Sequence, residues 1–308
     1  MSAPLRLGTR ASALATTQSS QVAARITAET GVEVTLVPVS TEGDRNLAPL
    51  TSFGGQGVFV AALREALAAG EVDVAVHSLK DLPTAPDPRL LLAAIPRRED
   101  PRDALVARDD LTLGELPAGA RVGTGSPRRE AQLRALGLGV DVVPVRGNVD
   151  TRIAKVTSGD LDAVVLARAG LLRLGREDDA TEVLDPLQML PAPGQGALAC
   201  ECRVDDEATA RTLGVLDDPH TRAAVTAERS LLSTLEAGCS APVGALAEVA
   251  WGDAGDELWL RAVVGDVSGT PTIRLSATGS LDEPGAIGER LAAEMLAEGA
   301  ADLMAVTS

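Results

Sequence analysis

Three turns of this chain gather the kinds of group that bind anions. Thr9-Arg10-Ala11-Ser12, Thr124-Gly125-Ser126-Pro127-Arg128-Arg129 and Arg146-Gly147-Asn148-Val149-Asp150-Thr151-Arg152 each lie between a strand-like run and a helix-like one. Uncommitted N–H groups at a helix start and the positive end of its dipole make such a turn an anion site. Guanidinium forks suit carboxylates and phosphates through paired hydrogen bonds. Any one of these arginines taken alone is better explained as a solvated surface charge; their recurrence at equivalent places is what raises the functional reading. Another strand end, His77-Ser78-Leu79-Lys80-Asp81-Leu82-Pro83, adds a carboxylate. Asp81 is either a counter-ion to the arginines or a group that stabilises a developing cation and moves a proton. His77 reads as a packed strand-end residue and His220 as a helix-surface one.

A thiol supplies the remaining chemistry. Cys239 lies in Leu235-Glu-Ala-Gly-Cys-Ser-Ala-Pro-Val-Gly244, after a helical run from His220 to Ala237. Ala223, Ala224, Ala227, Leu231 and Leu235 form one stripe of that helix. Asp218 and Pro219 suit its start, and Gly238 is placed for a left-handed residue after its end. The negative end of a helix disfavours a thiolate, so a self-activated nucleophile is not expected here. Cys239 is then either a small core residue or the attachment point of a strong electrophile.

The elements that must hold these groups alternate. Leu5–Gly8 reads as a strand, Ser12 caps a helix to about Glu29, and a strand follows at Val32–Val39. A glycine-rich loop, Ser40–Gly57, leads to a helix over Val58–Ala69 and a strand over Val72–His77. The pattern recurs with a short strand at Leu105, a strand from Arg121, a helix opened by Pro127, a strand over Val140–Val145, a helix over Val149–Ser158 and a strand over Leu161–Ala167. Gly123-Thr124-Gly125-Ser126 echoes Gly8-Thr9-Arg10-Ala11-Ser12 as a faint internal repeat. Such alternation predicts mostly parallel sheets covered on both faces. Proline-marked segments at Pro96–Asp103 and Leu190–Gly196 read as crossovers, followed by a strand in Gly196–Val204 with Cys200, Cys202 and Val204 on one face. The last ninety residues differ: strands at Val243–Trp251, Leu258–Val264 and Thr272–Thr278, then a helix over Gly285–Glu298, predict a small antiparallel sheet with helices on it.

Composition narrows the classes. The formal charge of −16 argues against general affinity for nucleic acid or acidic membranes. No apolar run reaches the length of a membrane span, and the N-terminal residues read as a strand rather than a signal peptide. Three cysteines without a CxxC pair and two histidines argue against a disulfide framework or a zinc site. A cytoplasmic location is therefore expected. Lys80 and Lys155 are the only lysines among 28 basic residues.

Taken together, His77-Ser-Leu-Lys-Asp-Leu-Pro83, Arg146-Gly-Asn-Val149 with Thr151-Arg152, Pro193-Gly-Gln-Gly-Ala197 and Leu235-Glu-Ala-Gly-Cys239 resemble the porphobilinogen deaminase family in order and spacing across nearly the whole chain. The resemblance implies an α/β fold of two lobes like type II periplasmic binding proteins plus a small α+β C-terminal domain with a three-stranded antiparallel sheet. The domains implied are 1–98 with 195–216, 99–194, and 217–308, the last carrying the cofactor-attachment cysteine. The implied enzyme is a transferase that joins four porphobilinogen molecules head to tail, releasing ammonia at each step, to give hydroxymethylbilane. Its primer is a dipyrromethane cofactor held by a thioether at Cys239; the electrophile that the thiol attacks is an azafulvene, reactive enough that the thiol needs no activation.

Residue by residue, the resemblance makes Asp81 the catalytic group. It puts Cys239, Lys80, Asp81, Thr124, Ser126, Arg128, Arg129, Arg146 and Gly147 against the cofactor. It puts Arg10, Ser12, Gln18, Arg146, Arg152, Arg173 and Gln195 against the substrate, and it implies no metal. Ser52 and Gln56 stand where relatives often carry lysine, so the Ser40–Gly57 loop is expected mainly to cover the cleft. A monomer is implied, with porphobilinogen as partner. A binding module whose two lobes close on a small carboxylate or phosphate, without chemistry, would explain the arginine turns but would leave Cys239 and the third domain idle.

Overall fold

The computed structural model describes residues 4–39, 58–238, 241–252 and 255–305. The expectations for the Ser40–Gly57 loop and for Cys239 lie outside the described residues. In chain order the elements are β1 (Leu5–Thr9), α1 (Ala13–Thr30), β2 (Val34–Pro38), α2 (Val58–Ala68), β3 (Val74–Ser78), β4 (Leu90–Ala94) and β5 (Asp103–Ala107). Next come β6 (Arg121–Thr124), α3 (Pro127–Ala135), β7 (Asp141–Pro144), α4 (Val149–Thr157), β8 (Ala163–Ala167), α5 (Arg168–Arg173), β9 (Glu182–Val183) and β10 (Leu198–Arg203). The chain continues with α6 (Glu207–Gly214), α7 (Pro219–Thr234), β11 (Val243–Gly252), β12 (Gly255–Gly265), β13 (Thr272–Ser280), α8 (Pro284–Ala297) and α9 (Ala300–Ala305).

Two compact units result, one of residues 1–99 and 197–222, the other of 100–196 and 223–308. The first is built on a sheet ordered β2-β1-β3-β10-β4. Its first three strands are parallel, and β10 runs antiparallel to both neighbours. The second unit contains a sheet ordered β7-β6-β8-β5-β9 with the same pattern of directions. The echo between Gly8 and Gly123 is therefore architectural: each sits on the second strand of its sheet. A Cβ at either would lie 2.6 Å from a leucine Cδ1, that of Leu63 or of Leu161.

Local signals set the helix starts. Ser12 Oγ accepts from Ala15 N at 3.3 Å, Asn148 Oδ1 from Thr151 N at 2.8 Å, and Asp218 Oδ1 from Thr221 N at 2.7 Å. Each satisfies one N–H that the helix leaves without a partner. Apolar periodicity sets the faces. Cys200 and Cys202 on β10 are fully buried, whereas Val204, just past the strand, is exposed. Strand β4, with its run Leu-Leu-Leu-Ala-Ala, was not expected; its residues follow no alternation that separates a strand from a buried helix turn.

The second unit also holds the antiparallel meander β11-β12-β13. Its core joins Ala224, Ala227, Leu231 and Leu235 of α7 and the turn after it to Val243, Ala245, Leu258, Leu260, Leu291 and Met295. Each fully buried leucine contributes about 1.5–3 kcal/mol relative to exposure. The predicted stripe on α7 is thus the face that meets the sheet. The end of this helix differs from expectation: it stops at Thr234, and Glu236, with φ of 51°, takes the left-handed conformation expected of Gly238.

Helix α8 crosses α7 at Gly288, where a Cβ would lie 2.3 Å from the Ala227 carbonyl oxygen and 2.7 Å from Leu231 N. Both obstacles are backbone, so neither yields cheaply. Gly288→Ala should lower stability by about 1–3 kcal/mol through overpacking. Gly285→Ala, whose nearest neighbour would be Ser230 Oγ at 3.9 Å, should be neutral or slightly stabilising. Urea denaturation of the two variants checks the difference.

Candidate active site

In the first unit the carboxyl end of β3 builds a rigid platform. Leu79 is fully buried, and its N–H donates to the Ala197 carbonyl at 3.0 Å. A 3₁₀ turn over Leu79–Asp81 then leaves Lys80 half-buried and Asp81 exposed. Ser78, just before the turn, receives a hydrogen bond from Gln18 Nε2 at 3.2 Å. Gln18 is a buried residue of α1, so the helix capped by Ser12 is tied to the strand that leads to Asp81. Arg10 is half-buried at the start of this α1 turn, and its carbonyl accepts from Thr16 Oγ1 at 3.3 Å.

Beneath this platform lies a charged cluster that sequence reasoning missed. Glu201 on β10 is buried; it accepts from Arg64 Nε and Nη2 at 2.9 and 2.7 Å, and His77 Nε2 lies 3.2 Å away. Burial pushes the Glu201 carboxyl up, but the bonds from His77 and Arg64 outweigh it and hold the group below the ordinary range. Arg64, which reads in sequence as an ordinary helix-surface residue, is instead the partner of a buried acid.

In the second unit the predicted residues come together around α3. Thr124 is buried, and its Oγ1 accepts from Ser126 N at 3.2 Å. Ser126 stands at the N-cap position, and Arg128 and Arg129 follow in the first turn, both buried. Their charges meet Asp103, the fully buried first residue of β5. Arg129 donates to Asp103 Oδ1 from Nη2 at 2.7 Å and from Nε at 3.2 Å, and Arg128 Nη1 lies 2.8 Å from Oδ2. Gln195, also buried, donates from Nε2 to the same Oδ1 at 2.8 Å. Three residues that the sequence assigns to ligands thus converge on one internal carboxylate.

The neighbouring turn adds two further arginines. Arg146 and Gly147 are exposed, Gly147 at φ of 111°, and the Gly147 carbonyl accepts from Arg152 Nε at 2.9 Å. Burial, and then the charge of Arg129, push the half-buried Arg152 down to about 10. Arg173 on α5 donates from Nη2 to the Gly196 carbonyl at 2.7 Å. The segment carrying Gln195 is held from the other side as well. Glu228 of α7, fully buried, accepts from Gly194 N at 2.6 Å and from Ala247 N of β11 at 2.9 Å.

Neither Asp103 nor Glu228 was found by sequence reasoning. The one usable signal was Asp103 standing at the end of a proline-marked crossover. No group of three or more potential metal ligands is found among the described residues, and no described helix is long and apolar enough to cross a membrane.

Comparison with known proteins finds two family models along the chain. "Porphobilinogen deaminase, dipyromethane cofactor binding domain" matches residues 5–211, and "Porphobilinogen deaminase, C-terminal domain" matches 222–297. A porphobilinogen deaminase of Mycobacterium bovis (strain BCG / Pasteur 1173P2) is 60% identical over 305 residues, covering 97% of this chain and 98% of that one. One of Nocardia farcinica is 58% identical over 306 residues, covering 98% and 88%. Among solved structures, the methionine binding protein MetQ aligns with a TM-score of 0.44 at 12% identity, covering 69% of this chain and 89% of that one.

The buried acid makes this site pH-sensitive in a defined direction. Burial pushes the Asp103 carboxyl up, but the charges of Arg128 and Arg129 outweigh it and hold it well below the ordinary carboxylate range. A carboxyl lowered by folding contributes stability that is complete above its unfolded value and is lost as pH falls through the folded one. Wild type and Asp103→Asn should therefore differ by about 3–5 kcal/mol in unfolding free energy at neutral pH. The two curves should begin to converge below about pH 4 and keep closing as pH falls toward the much lower folded value. Denaturant melts from pH 7 to pH 2 test this, and parallel curves would contradict the ion pairs.

Proposed function

Since the chain belongs to the porphobilinogen deaminase family, we propose that Asp81 is its acid–base group and that the arginines around α3 hold the carboxylates of its ligands. The enzyme is a transferase that joins four porphobilinogen molecules head to tail, with loss of ammonia, to give hydroxymethylbilane. Its cofactor is a dipyrromethane, and we propose a thioether at Cys239 as the attachment. When bound, the dipyrromethane supplies the pyrrole carbon to which the first substrate unit is joined.

The residues fit a group rich in carboxylates. What carries this reading is a charge imbalance: two buried guanidiniums share one carboxylate, and Arg128 Nε has no hydrogen-bond partner among the described residues. Thr124, Ser126, Arg128, Arg129, Arg146 and Gly147 would hold the cofactor with Lys80 and Asp81. Arg10, Ser12, Gln18, Arg152, Arg173 and Gln195, again with Arg146, would hold substrate. Each added ring brings an acetate and a propionate, so a lengthening chain needs many fixed cations.

Asp81 has the opposite task. It is the exposed carboxylate of a turn whose backbone is anchored by Leu79. There it offsets the positive charge that develops on the substrate carbon as the amine departs, and accepts the proton lost when the ring regains aromaticity. Residues 1–98 with 195–216, and 99–194, form the two lobes in this reading, and 217–308 a third domain. The enzyme is read as a cytoplasmic monomer: the free thiols of Cys200 and Cys202 suit a reducing compartment.

Asp81→Ala should lower turnover by about 10²–10⁴-fold, the contribution of a positioned acid–base group, while intact mass still shows cofactor on the chain. A variant that keeps most of its rate would make Asp81 a counter-ion.

A second test reads charge directly. Attaching one porphobilinogen releases ammonium and leaves two carboxylates, so each step should add about two negative charges at neutral pH. Limiting substrate should give discrete, successively more acidic species on anion exchange, each heavier by one deaminated pyrrole unit. Cys239→Ser should give none. A single position that returns to the start on dilution would identify a reversible binder instead.

A further inference from the structure

The repeated architecture of the two sheets provides an internal control for the charges around α3. Strand pairing aligns Gly8 opposite Ala75 with Gly123 opposite Val164. The same register makes Leu198, opposite Ser78, the counterpart of Asp103, opposite Ala167. Aligning the N-cap positions Ser12 and Ser126 makes Leu14 and Ala15 the counterparts of Arg128 and Arg129. One fold thus carries an apolar trio in the first unit and a charged trio in the second. The sheet itself does not need the charges.

Stability does not call for them either. A buried ion pair gains little over well-packed apolar residues of similar size, because desolvation offsets the attraction. Two cations in the first turn of a helix also face the positive end of its dipole. The charged trio has a cost that the apolar trio avoids, and its geometry is tightly set. Arg129 Nη1 donates to the Val165 carbonyl at 2.9 Å, Arg128 Nη1 to the Leu190 carbonyl at 2.6 Å, and both guanidiniums meet opposite oxygens of Asp103.

We infer that Asp103 is a positioning residue for the polymerisation: a resident carboxylate that holds Arg128 and Arg129 in their binding pose while leaving one positive charge for a ligand carboxylate. With no acid at 103 the two guanidiniums would repel each other and lose their shared orientation. With a second acid they would have no charge left to offer. The inference uses the proposed roles of Arg128 and Arg129 as cofactor holders.

The test compares full-length wild type, Asp103→Asn and a triple variant, Asp103→Leu with Arg128→Leu and Arg129→Ala, which restores the first unit's trio. Folded protein is purified, covalent cofactor is read by intact mass, and porphobilinogen kinetics are referred to the loaded fraction. Asp103→Asn should load cofactor more slowly than wild type. Its kcat per loaded molecule should fall by about ten- to a hundred-fold, the cost of a misplacement of up to roughly 1 Å, without a rise in KM, since the added positive charge does not weaken attraction for carboxylates. The triple variant should fold and melt cooperatively yet gain no cofactor mass.

If loaded Asp103→Asn turns over like wild type, Asp103 serves only the fold and the inference is overturned. Should that variant not fold, the triple variant decides. A folded triple variant that takes up no cofactor supports the inference, and a triple variant that cannot fold shows the charges to be structural and overturns it. Wild type run alongside separates the two levels, because a wild-type chain without covalent mass would refute the cofactor assignment itself.

Discussion

A carboxylate with no access to water, Asp103, is the constraint on which the second unit depends. Removing a charge from water is expensive, and only close, well-directed partners make it tolerable. Arg128, Arg129 and Gln195 are those partners, and satisfying the acid fixes where α3 begins. The other end of that helix is fixed as well. Gln132 accepts from Leu190 N at 2.8 Å and donates to Leu190 O at 3.0 Å, while Arg134 Nη1 donates to the Val267 carbonyl in the loop between β12 and β13 at 2.6 Å. The helix that presents the arginines is therefore braced by β5 at its start and by the C-terminal meander near its end.

The two sheets show how one architecture supports different chemistry. Counting on from the strand register, Asp81 after β3 corresponds to Gly170 after β8. The first unit thus places its acid outside the strand, exposed, where the second has no side chain. Conversely the second unit buries an acid where the first has Leu198. The backbone supplies equivalent turns, and the side chains at those turns decide whether they offer a cation, an anion or apolar surface.

Much of this was legible in sequence because its causes are local. Ser12 and Asp218 declare helix starts by their own hydrogen bonds, and the α7 stripe follows from a period of 3.6 residues. The buried acids were not legible because their partners are remote. Glu201 and Arg64 are 137 residues apart, and Asp103 and Arg129 are 26 apart. An isolated aspartate or glutamate in a strand looks like a solvated charge until the pairing of strands is known. Arg64 was misread for the same reason. The family resemblance assigned Arg128 and Arg129 to the cofactor and Gln195 to the substrate, but it gave no role to the acid on which all three converge. The left-handed residue after α7 was displaced to Glu236 because the helix ended a turn early, and helix ends shift easily by one or two residues.

The contrast between Asp81 and Asp103 follows from what each acid faces. Asp103 meets charges that never change, two guanidiniums fixed in a first helical turn, so burial serves it: low dielectric strengthens the attraction and excludes competing water. Under the role proposed for Asp81, the partner is a cation that appears and disappears with each bond formed. A deeply buried acid would have to be matched by a permanent cation or lose its charge. An exposed acid on an anchored turn needs neither, and it can lend its charge repeatedly while the backbone beneath it stays still. Under the roles proposed for them, the two aspartates, one sealed beneath two arginines and one raised on a 3₁₀ turn, separate holding a chain of carboxylates from making the bonds that lengthen it.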